Sequence, residues 1–62
     1  MNYYRLFLPT KQFIVQAPSK AAATIRAIEV GLMDKFDCQD IQDIVEVSEN
    51  DYLVWAGKRK AE

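Results

Sequence analysis

A single small α+β domain, in the order strand, strand, helix, strand, strand, is the fold class this sequence predicts. Three observations predict it. Two short segments of period-two alternation lie either side of Pro9, an alanine-rich segment follows Ser19, and alternation returns through Val45 and Val47. The expected architecture is a mostly antiparallel sheet with one helix packed on one face.

The first strand is expected over residues 3–8. Its alternation puts Tyr4, Leu6 and Leu8 on one face and Tyr3, Arg5 and Phe7 on the other. Pro9 cannot donate to a ladder, so residues 9–11 are expected to form a hairpin connection. The second strand, residues 12–17, sets Phe13, Val15 and Ala17 against Gln12, Ile14 and Gln16. Pro18 ends it. Ser19 is placed to cap a helix over residues 20–30, rich in alanine, and Ala21, Ile25, Ile28 and Leu32 fall along one stripe that is expected to cover the sheet. Gly31 suits the left-handed position beyond the helix end, with Leu32 folding back on the last turn.

Residues 34–43 are acidic and weakly patterned, and part of them is expected to form a helical turn. Residues 44–48 read as a third strand, Glu49, Asn50 and Asp51 as turn chemistry, and residues 52–56 as a fourth strand closing a second hairpin. The basic tail, residues 57–62, is expected to fray. The whole of residues 1–62 is thus expected to be one domain. A chain of 62 residues has room for one core only, and its 50% hydrophobic and 27% charged content is that of a folding chain.

Composition also narrows the chemistry. There is no histidine, so Cys38, the one cysteine, has no imidazole to activate it, and no internal disulfide can form. Two glycines cannot build a glycine-rich phosphate cradle. The aspartates Asp34, Asp37, Asp40 and Asp43 recur every third residue but lack the glycine and distal glutamate of a calcium loop. They are expected to be a solvated acidic surface. The chain is therefore expected to be no enzyme and to use no metal or cofactor and no small-molecule substrate. The lone cysteine and an N-terminus without a leader or membrane pattern point to the cytoplasm and to no membrane partner.

A single helix covers one face of a sheet, so the other must meet water or a partner. On that face Tyr3, Arg5 and Phe7 alternate, with Ile14 beside them on the second strand. Trp55 depends on the second turn: two residues there put Leu53 and Trp55 on the open face, three put them in the core, and both remain open. Tyr3, Arg5, Phe7, Ile14 and Trp55 are the expected protein-binding residues, toward another protein or a second copy in a homodimer. The alternative is nucleic acid, bound by Tyr3, Arg5 and Phe7 together with the basic cluster Lys58, Arg59 and Lys60.

The run from Phe13 through Ala17, Pro18 and Ser19 to Ala23 resembles a strand-to-helix element of many small phage and mobile-element proteins. With the hairpin expected over residues 44–56, the layout is similar to that of certain small anti-CRISPR proteins that bind the surface of a type I interference complex. This resemblance implies a non-enzymatic inhibitor or adaptor that docks on a larger assembly, in the host cytoplasm if the gene is carried by a phage.

Overall fold

The computed structural model describes the backbone of residues 1–61 and the side chains of residues 1–58. Strand β1 (Asn2–Phe7) and strand β2 (Gln12–Ala17) form the expected hairpin, closed where the Leu8 N–H donates to the Lys11 carbonyl at 2.9 Å. Helix α1 (Lys20–Glu29) follows, then a 3₁₀ segment, α2 (Lys35–Asp40), strand β3 (Asp43–Val47) and helix α3 (Glu49–Ala61). The three strands form one antiparallel sheet in the order β2-β1-β3. With both neighbours antiparallel to β1, β2 and β3 run parallel to each other, and α1 supplies the crossover between them.

Helix α1 begins and ends as its residues dictate. The Ser19 Oγ accepts from the Ala22 N–H at 3.2 Å. At the other end Gly31 takes φ 81°, and the N–H groups of Gly31 and Leu32 donate to the carbonyls of Ile28 and Ala27. That pair of bonds satisfies carbonyls that would otherwise be orphaned, and it needs the left-handed backbone that glycine adopts without cost.

The face that α1 covers carries the core. Tyr4, Leu6, Leu8, Phe13, Val15 and Ala17 are buried there with Ala23, Ala27 and Met33. The stripe expected on the helix holds in part: Ile28 and Leu32 pack against the core, but Ala23 and Ala27 are 0% exposed, whereas Ile25 is 60% exposed and Ala21 is exposed too. The buried face is thus centred on the two alanines, one helical turn apart, with Ile28 and Leu32 packing beside them. The sheet already supplies the bulky side chains, and small residues let the helix backbone approach them closely.

The acidic segment does form a helical turn. Its start is fastened by the Asp34 N–H donating to Asp37 Oδ2 at 3.0 Å. Lys11 reaches the same region from the hairpin turn, donating to the Leu32 carbonyl at 3.1 Å and lying 3.7 Å from the Asp37 carboxylate.

The second hairpin is corrected. Residues expected as a fourth strand form helix α3, so the order is strand, strand, helix, strand, helix, with two helices packed against the sheet. The helix starts at Ser48. Its Oγ accepts from the Asp51 N–H at 3.2 Å, and Asp51 Oδ2 accepts from the Ser48 N–H at 3.4 Å, a reciprocal capping box in place of a turn. The tail expected to fray is drawn into the same helix as far as Ala61, and Glu62 lies outside the described residues.

Candidate interaction surface

The strand registers place Tyr3, Arg5 and Phe7 on the sheet face opposite α1, flanked by Ile14 on one side and Val45 and Val47 on the other. Sequence reasoning left that face open. In the fold α3 crosses it: the Tyr52 ring lies 5.0 Å from the Tyr3 ring and 6.1 Å from Trp55. The expected site is thereby rearranged. Ile14 is 1% exposed and has no surface left to offer, while Tyr3, Arg5, Phe7 and Trp55 are half-buried. Trp55 belongs to neither of the two strand parities, since on a helix it falls three residues after Tyr52 and packs against the core from the same inner side.

Arg5 stands among apolar neighbours, paired across the strands with Ile14 and Val45. Its Nη1 donates to Gln12 Oε1 at 3.2 Å, and its buried Nε has no hydrogen-bond partner among the described residues. The basic residues expected to act with it lie elsewhere in part: Lys58 is exposed on α3, and the side chains of Arg59 and Lys60 fall outside the described residues.

The concave surface of the molecule runs instead along β2, an edge strand. One groove of about 290 Å³ lies between the end of β2 and α1, floored by Ala17 and Pro18 and walled by Ala22, Ile25 and Glu29. A second of about 290 Å³ lies between α1 and α3, lined by Ile14 and Val15 on the strand, Val30 and Leu32 beyond α1, and Tyr52 and Trp55 on α3. Gln16 and Arg26 line both, so the two grooves meet at that pair. Ile25 and Val30, at 60% and 51% exposed, stand on the rim.

Sequence reasoning missed Ile25, Arg26 and Val30 because it spent Ile25 on the core stripe. The available signal was the alanine pair Ala23 and Ala27, spaced four apart, which offers a second stripe of small residues on the same helix. Among the described residues no three histidine, cysteine, aspartate or glutamate side chains gather as metal ligands, and no helix is long and apolar enough to cross a membrane. No family model, curated protein or solved structure matches this chain.

Proposed function

We propose that this chain is a small protein-binding module, without catalytic activity, that docks on a larger protein through the β2 side of the molecule. The observation that carries this reading is the pair of joined grooves along β2, rimmed by Ile25 and Val30. Aliphatic side chains more than half exposed around a concave surface are the usual material of a protein contact. The lack of histidine and of a glycine-rich loop supports binding over chemistry. Docking of this kind serves an inhibitor or adaptor, the use that the anti-CRISPR resemblance implies, although the hairpin half of that layout is here a strand and a helix.

Binding of nucleic acid through the sheet face has less support. Stacking needs free ring faces, and the Tyr3 ring is engaged by Tyr52 while Ile14 is buried.

The test is affinity capture from extracts of the source cells, run side by side with wild type and with a double variant, Ile25→Glu with Val30→Glu. Both positions are exposed, so the variant should melt within a few degrees of wild type. Proteins held by wild type and lost by the variant are the expected result. Capture that ignores the two charges, or that disappears on nuclease treatment, overturns the reading.

A further inference from the structure

Helix α3 turns two different sides to its surroundings. Each residue advances a helix by about 100°, and exposure along α3 follows that period. Tyr52, Trp55 and Ala56 are half-buried against the sheet, while Asn50, Leu53, Val54 and Gly57 are exposed on the side away from it. Leu53 and Val54, at 57% and 51% exposed, are adjoining aliphatic side chains on that outer side. Beside them Gly57 leaves a gap, since no atom lies within 4 Å of where its Cβ would stand. Asp51 and Lys58 lie along one flank of the strip, two turns and about 10 Å apart, too far to pair within one helix. Neither forms an ion pair among the described residues.

That strip complements itself. With a second α3 set antiparallel across a two-fold axis close to Val54, the two Val54 side chains meet at the centre. Leu53 of each copy then stands level with the gap at the other copy's Gly57, and Asp51 stands level with the other copy's Lys58 on the same flank. One symmetry operation thus makes two apolar insertions and two opposite-charge pairs, and it keeps like charges about 10 Å apart along the axis. A parallel pair would oppose Asp51 to Asp51 and Lys58 to Lys58. Asp51 Oδ2 accepts from the Ser48 N–H, which leaves Oδ1 for the lysine. We infer that the outer side of α3 receives a second copy of this chain, as an antiparallel, isologous dimer. None of Leu53, Val54 and Gly57 lines the grooves beside β2, so this surface is separate from them and does not depend on docking there. A helix of 13 residues is about 20 Å long and buries well under the ~800 Å² per partner of a stable complex, so the dimer is weak, monomeric at about 10 µM and populated by about 1 mM.

The experiment is sedimentation equilibrium of the full chain from about 10 µM to about 1 mM, in which the mass should rise toward that of two chains. Leu53→Glu should abolish the rise. Gly57→Gln fills the gap while improving the helix, so it should weaken association by about tenfold without lowering the melting temperature of the dilute monomer. Lys58→Glu opposes like charges at both pairs, and it should weaken association by about threefold at low salt and by less at high salt.

Crosslinking reads the direction of the pair. In a Cys38→Ala background, Val54→Cys should form an intermolecular disulfide on mild oxidation of the concentrated protein. Asn50→Cys, more than about 13 Å from its own counterpart in the antiparallel pair, should not. The mass of a single chain at about 1 mM overturns the inference and leaves the β2-side docking to its own capture experiment. A dimer indifferent to both Leu53→Glu and Gly57→Gln, or one linked equally well through positions 50 and 54, overturns it as well.

Discussion

Helix α1 meets its face of the sheet through alanines with no exposed surface, whereas α3 meets the other face through two large aromatic rings that stay half-exposed. The first contact brings a helix backbone close to a layer of bulky strand side chains and leaves no room for water. The second props a helix over the sheet on Tyr52 and Trp55. None of the described α3 side chains is fully buried, and Leu53 and Val54 face outward. The same three strands thus carry a tight core on one side and a looser cover on the other, and the grooves open at the border between them. The two helices therefore hold the sheet unequally: α1 closes its face, and α3 leaves grooves open between the helices beside β2.

The largest effect should come from the tight face. Leu6, fully buried on the central strand, loses about 2 to 5 kcal/mol on replacement by alanine, against the roughly 3 to 5 kcal/mol that a core this small supplies. Leu6→Ala should therefore be largely unfolded at 25 °C, as circular dichroism will show; a melt close to wild type would erase the contrast between the faces.

On the looser face, Tyr52→Ala removes a half-buried ring and its stack on Tyr3, and should cost about 1 to 2 kcal/mol in urea unfolding. A loss as large as that at Leu6 would mean that α3 belongs to the core on equal terms.

Ser48→Ala sharpens the identity of the element itself. Removing the cap at the start of α3 should cost about 1 kcal/mol and reduce helical ellipticity, while a strand beginning there would lose nothing of the kind. The smallest shift has the opposite sign. Gly57 lies within α3, its φ is not positive, and an added Cβ meets no atom within 4 Å. Gly57→Ala should therefore stabilise the chain by about 0.5 to 1 kcal/mol, and each kcal/mol raises the melting temperature by roughly 4 to 8 °C in a domain of this size. A fall in melting temperature would break the account of α3 as a helix with an open outer side.

Much of this fold was legible in local pattern. Period-two alternation located β1, β2 and β3, Ser19 and Gly31 marked the two ends of α1, and the face holding Tyr4, Leu6, Phe13 and Val15 was read as the core side. The last element was not legible because its sequence is degenerate. Ser48 to Asp51 reads equally as a turn cluster and as a capping box, and the residues after it fit either period: Tyr52, Val54 and Ala56 alternate, while Tyr52, Trp55 and Ala56 recur at helical spacing. The openness expected of the second sheet face went with it, since α3 crosses that face, burying Ile14 and leaving Tyr3, Arg5 and Phe7 half-buried.

Sequence by itself determined an α+β chain with one core, an N-terminal hairpin, a capped helix and a chemistry without histidine. These follow from residue type and near-neighbour spacing, which act over a few residues. Only the tertiary structure decided that β1 lies at the centre, that Ala23 and Ala27 rather than Ala21 and Ile25 face the sheet, and that residues 52–56 wind into a helix. Each of those is a choice between local alternatives of similar energy, and long-range packing of apolar surface, absent from any short window of sequence, is the term large enough to make it.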